Sequence, residues 1–126
     1  MSARVVVVDS CPTRRREAAD RLAGLGCDVV SAPSGYNAIH ALSSRNADLI
    51  IVNWSLEDMM LHEFAEHVKH IDDDCVLMVS FDRAQPVRPR GLDDPYIDGW
   101  IPYDGSEQLW RSTIERASRT RRALMT

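Results

Sequence analysis

Short, unbroken apolar runs alternate along this chain with segments whose apolar residues recur every three or four positions. Residues 5–8, 49–52 and 76–79 are the clearest runs, and they are rich in valine and isoleucine. Strands covered on both faces of a parallel sheet read this way, whereas half-exposed antiparallel strands alternate apolar with polar. Residues 27–31 and 99–103 are weaker runs of the same kind. Between the runs, Ala18, Leu22 and Leu25 are spaced as one helix face and meet the stop signal Gly24-Leu25-Gly26. Ser34 is placed to cap a helix through about Ser44 that carries Ala38, Ile39 and Leu42. Leu61, Phe64, Ala65 and Val68 mark another helix, and Trp110, Ile114 and Ala117 mark the last, with Asp104 or Ser106 as its N-cap. Strands and helices in this alternation predict an α/β, doubly wound, parallel sheet of five strands with helices on both faces.

One segment breaks the rhythm. A helix is due between the fourth and fifth strands, but the chain there carries Pro86, Pro89, Gly91 and Pro95. An interior proline costs a helix about 3 kcal/mol, so residues 83–95 are expected to hold no regular helix beyond about one turn. The fourth helix is degenerate.

Composition narrows the class. A chain of 126 residues is one domain, 1–126, with 116–126 read as the end of the last helix and the start of a basic linker. At 44% apolar and 27% charged residues it has the balance of a globular chain. No apolar run approaches the ~18 residues of a membrane span, and no signal-peptide pattern opens the chain. Fifteen basic against nineteen acidic residues leave a net charge of −4, a poor footprint for direct nucleic-acid binding. Cys11, Cys27 and Cys75 are odd in number and scattered, which points to a reducing, cytoplasmic location.

In doubly wound sheets, chemistry gathers outside the carboxyl ends of the strands. Here those ends supply Asp9 and Ser10, Asn53, Ser80 with Asp82, and Tyr103. With these residues in place the sequence resembles the receiver domains of bacterial two-component response regulators over residues 5–117. Residues 25–42 are similar to that family's second strand and helix, and residues 48–53 to its third strand, which ordinarily ends in the phosphate-accepting aspartate. Ser80 falls on the family's switch Ser/Thr, and Gly99-Trp100-Ile101 on its Gly-aromatic-aliphatic run. The resemblance implies a flavodoxin-like sheet of order 2-1-3-4-5. It also exposes departures. The acidic pair after strand one reads Asp9 and Ser10, the acceptor position holds Asn53, and the positions of the active-site lysine and following proline hold Tyr103 and Asp104.

Elementary chemistry says what those departures do. A neutral amide cannot form an acyl phosphate, so Asn53 is not an acceptor. Mg²⁺ wants anionic oxygens, and two of three expected carboxylates are missing. A lysine beside so depleted a pocket would be a half-buried cation without a partner, so Tyr103 is consistent with the other losses. Asp9, Ser10, Asn53, Ser80 and Tyr103 thus read as a vacated phosphorylation site in an atypical, or pseudo-receiver, domain. The resemblance implies a domain that is not an enzyme, with no catalytic residue, no cofactor and no metal. It would signal through a protein partner, an output domain or a homodimer, with Ser80, Trp100 and Trp110 as switch or interface positions. The rival expectation is a small-molecule ligand in the vacated pocket.

Several residues have plainer readings. Asn53 has a plainer alternative as a strand-end polar residue, and Asp9 reads as well as a helix N-cap for the segment from Pro12 as it does as a remnant ion ligand. Glu57, Asp58 and Asp82 are placed to lean into the pocket and restore some cation affinity. Tyr36, Trp54 and Trp110 are expected to pack, and His62, His67 and His70 to form a solvated helix face. A phosphatase loop at Cys11 fails because it needs an arginine where Glu17 stands. Arg14-Arg15-Arg16 reads as the solvated start of the first helix or a dock for an acidic partner.

Overall fold

The computed structural model describes residues 2–82 and 94–125, with side chains described as far as residue 120. Its elements follow the predicted alternation: β1 (Arg4–Val8), α1 (Pro12–Gly24), β2 (Asp28–Ala32), α2 (Gly35–Ser44), β3 (Leu49–Asn53), α3 (Leu61–Ile71), β4 (Val76–Phe81), β5 (Gly99–Pro102) and α4 (Glu107–Met125). All pairings are parallel and the order is β2-β1-β3-β4-β5, as expected. No helix among the described residues is long and apolar enough to cross a membrane.

The sheet's pleat sorts the apolar runs into two layers. Val6, Val8, Ile50, Val52, Leu77 and Val79 face α2 and α3, where Ala38, Leu42, Phe64, Ala65 and Val68 meet them. Val5, Val7, Leu49, Ile51, Val76 and Met78 face α1 and α4, against Ala18, Leu22, Trp110 and Ala117. The central strands are therefore apolar throughout residues 5–8, 49–52 and 76–79, and β3 is buried throughout its length.

Local chemistry sets the helix ends. α1 starts on Pro12, whose missing N–H costs nothing at a first position. It stops in a Schellman turn, in which Cys27 N–H donates to Leu22 O at 3.1 Å and Gly26 N–H to Ala23 O at 3.0 Å. Gly26 takes φ +88° there, a conformation other residues avoid. Ser34 Oγ accepts from Asn37 N–H at 3.1 Å, as predicted, and Ser106 rather than Asp104 caps α4, accepting from Leu109 N–H at 3.2 Å. On α3, Lys69 reaches the far edge of the sheet and donates to Cys75 O at 2.6 Å and Asp98 Oδ2 at 2.8 Å.

The expectation for the fourth crossover falls chiefly on residues 83–93 and lies outside the described residues. The chain returns at Asp94, which forms a turn: its Oδ1 accepts from Tyr96 N–H at 2.9 Å and its backbone O from Ile97 N–H at 3.1 Å.

Candidate functional site

The parallel sheet brings Asp9, Asn53 and Ser80 to one edge. Asp9 directly follows β1, and Asn53 and Ser80 are register partners at the ends of β3 and β4. All three are buried. Asn53 Nδ2 donates to Ser80 Oγ at 3.3 Å, while its Oδ1 accepts from Ser55 N–H at 3.1 Å and Ser55 Oγ at 2.5 Å. Donors on one side and a hydroxyl on the other fix which way the amide points.

A residue that sequence reasoning misplaced completes the cluster. Arg14, in the first turn of α1, is not a solvated helix start. Its Nε donates to Asp9 Oδ2 at 2.5 Å and its Nη2 to Asp9 Oδ1 at 2.7 Å, the fork-on-fork geometry that arginine makes with a carboxylate. The same Nη2 lies 3.3 Å from Asn53 Oδ1. Arg15 is also turned inward, its Nη1 donating to the backbone O of Asp9 at 2.9 Å, so only Arg16 of the three matches the solvated reading. The hydrogen bond to Asp9, outweighing partial burial, holds the Arg14 guanidinium above its usual pKa range. A permanent cation therefore sits between Asp9 and Asn53.

Asp9 is not the N-cap of α1. Its Oδ1 accepts from Cys11 N–H at 2.9 Å, which shapes the turn, and Cys11 itself occupies the cap position without a side-chain bond. Ser10, half-exposed, follows at the mouth.

Tyr103, just past β5, gives its hydroxyl to Glu17 Oε2 on α1 rather than to Asn53 or Ser80. Burial, then that hydrogen bond, raises its pKa well above the ordinary phenol range. Arg21 anchors the same loop, donating to Gly105 O at 2.8 Å and Tyr103 O at 3.3 Å while its guanidinium lies 4.8 Å over the Trp110 ring.

The acidic residues of the β3–α3 loop go elsewhere. Asp58 accepts from Gly35 N–H at 2.9 Å and Tyr36 N–H at 3.0 Å, closing the N-terminus of α2, and Glu57 is exposed. Asp82 is exposed as well. The aromatic expectations divide. Trp54 packs on the α2–α3 layer, but Tyr36 is 67% exposed. Trp110 is buried, with Nε1 donating to Pro102 O at 3.3 Å, so it is a core residue and not an interface position. Trp100 is half-buried and meets Phe81 edge-on, their ring centres 6.2 Å apart. His62, His67 and His70 lie exposed along α3 as expected.

No protein-family model and no curated protein sequence matches the chain. Solved structures do. A response-regulator receiver domain protein of Clostridium thermocellum superposes with a TM-score of 0.82 at 15% identity, covering 98% of this chain and 99% of that one. The fold is that of a response-regulator receiver domain. The N-terminal domain of a response regulator/sensory box/GGDEF three-domain protein of Carboxydothermus hydrogenoformans gives the same score at 20% identity, covering 98% and 99%. A receiver domain of a sensor histidine kinase of Pseudomonas aeruginosa, solved with magnesium in its active-site cleft, scores 0.80 at 12% identity, covering 92% and 97%.

A receiver fold raises the question of magnesium, and the donors here do not suit it. Magnesium asks for near-octahedral oxygens at about 2.0–2.1 Å, usually including carboxylates. Asp9 is the one carboxylate in the cluster, and both its oxygens are committed to Arg14 and to Cys11 N–H. Asn53 and Ser80 add no charge. Among the described residues, no three His, Cys, Asp or Glu side chains gather to hold a metal ion.

Proposed function

We propose that this receiver-fold domain relays signals without being phosphorylated and without enzymatic activity, by contact with a protein partner, an attached output domain or a second copy of itself. The observation that carries the reading is Asn53. The end of β3 is where the family resemblance locates the phosphoryl acceptor, and an amide stands there, bonded to Arg14, Ser55 and Ser80. Acyl-phosphate formation needs a carboxylate nucleophile and spread-out cationic charge on the phosphoryl oxygens. Asn53 lacks the nucleophile, and Arg14 is engaged with Asp9.

An attached output domain is supported by the Carboxydothermus protein, in which a domain of this fold opens a three-domain chain. Half-buried Trp100, on the edge strand β5, is the residue we assign to partner contact. A small-molecule ligand in the acidic pocket is the weaker reading, because the Arg14 guanidinium already lies between Asp9 and Asn53.

The test is incubation with acetyl phosphate and Mg²⁺, read by intact mass. The expected result is an unchanged mass. A gain of one phosphoryl group overturns the proposal.

A further inference from the structure

The buried Asp9 carboxylate requires a counter-charge, and the sequence places that charge against a local preference. Arg14 is the third residue of α1, whose first turn contains no acidic residue. A cation there opposes the helix dipole and gains nothing from the helix itself. What holds it is Asp9, through two short hydrogen bonds, with Asn53 Oδ1 as a third acceptor. The guanidinium therefore bridges the ends of β1 and β3.

We propose that Arg14 is the resident cation of this site: its guanidinium takes the charge-balancing place of a divalent metal ion and keeps such ions out. This inference rests on reading the pocket as a retired phosphorylation site. A metal ion approaching Asp9 would have to displace both Arg14 bonds and leave the guanidinium beside a double positive charge. Arginine does not lose its proton under physiological conditions, so the occupancy of this cation does not vary with pH or metal concentration. A metal-dependent pocket becomes one of fixed charge.

The experiment follows Mn²⁺ binding by water proton relaxation in the whole chain. Wild type is expected to show no saturable binding and Asn53→Asp only weak binding, because Arg14 offsets the one carboxylate of the first and one of the two in the second. Arg14→Met with Asn53→Asp should bind at least about tenfold more tightly than Asn53→Asp alone, since two carboxylates then face no internal cation. Arg14→Lys with Asn53→Asp keeps the positive charge and should stay as weak as Asn53→Asp, an ordering that a purely structural role would not produce. If the Met variant does not fold, Arg14→Gln with Asn53→Asp, which keeps an amide donor but no charge, is measured in its place.

Saturable Mn²⁺ binding by wild type, or equal binding by Asn53→Asp and the uncharged double variant, overturns the inference. The two readings fail separately. Metal binding by wild type without acetyl-phosphate labelling removes only the role given to Arg14, whereas labelling removes the phosphorylation-independent reading itself.

Discussion

Arg14 grips Asp9 with a two-pronged hydrogen bond, Nε to Oδ2 at 2.5 Å and Nη2 to Oδ1 at 2.7 Å, across the turn that joins β1 to α1. The pair is lopsided in exposure: 5% of the Asp9 side chain reaches solvent against 28% of Arg14. Removing the arginine therefore strands a buried carboxylate, whereas removing both charges does not. Arg14→Ala is expected to cost about 3 kcal/mol in urea unfolding, the lower end for breaking a buried pair. Adding Asp9→Asn should recover a substantial part of that loss. Additive losses in the double variant would show that the two side chains act independently.

The sheet was legible because burial on both faces confines polar positions to the strand ends. β1, β3 and β4 carry unbroken apolar runs for that reason, whereas the edge strands β2 and β5 keep exposed or half-buried positions and gave weaker signals. Asn53 and Ser80 were placed correctly at adjacent strand ends because register follows from the sheet. Arg14 was missed. Three consecutive arginines look like a solvated helix start, yet their position against the helix dipole was a usable clue that something buried and acidic attracts them. Tyr103 with Glu17 had no such clue, since 86 residues separate them and only the docking of the loop after β5 on α1 joins them. Trp110 carried two readings, packing and interface, and burial in the core beneath Arg21 matches the first, a choice the sequence could not make because it does not show what covers the ring.

Two neighbouring glycines should respond oppositely to alanine. Gly26 sits at φ +88° in the Schellman turn, so Gly26→Ala is expected to destabilise the domain by about 1 kcal/mol. Gly24 ends α1 with open space around its would-be Cβ, so Gly24→Ala should stabilise by about 0.5–1 kcal/mol. Thermal unfolding of the two variants side by side checks both signs. A stabilising Gly26→Ala would contradict the turn described.

His62 on α3 ties that helix to the returning crossover, its Nδ1 lying 2.7 Å from Asp94 Oδ2. The hydrogen bond to Asp94, then its charge, raises the imidazole's pKa, with smaller contributions from Glu66 and Glu63. A raised pKa in the folded state means that the stabilisation is complete below the ordinary histidine pKa of about 6.5 and fades as pH rises through the folded value. Proton NMR should place the His62 midpoint above that of an unperturbed histidine, and Asp94→Asn should return it toward that value. An unchanged midpoint in Asp94→Asn would remove the link.

Restoring phosphoacceptor chemistry should take more than the missing carboxylates and lysine. Asn53→Asp alone supplies a nucleophile but leaves one carboxylate short for a metal ion, and Tyr103 still withholds a cation from the transferred phosphoryl group. Losing one such charge-stabilising group typically costs about 10²–10³ in rate. The triple change Ser10→Asp, Asn53→Asp, Tyr103→Lys supplies all three groups, yet Arg14 remains forked on Asp9 and reaches the end of β3. It would cancel one of the three new or existing negative charges and oppose metal entry. Adding Arg14→Met should therefore speed labelling by acetyl phosphate at least about tenfold over the triple variant, because groups that act as a unit return their effect only together. Intact mass against time measures all the rates. Equal rates for the triple and quadruple variants would show that Arg14 does not obstruct the site, and full labelling of Asn53→Asp alone would show that the metal and lysine functions were never missing.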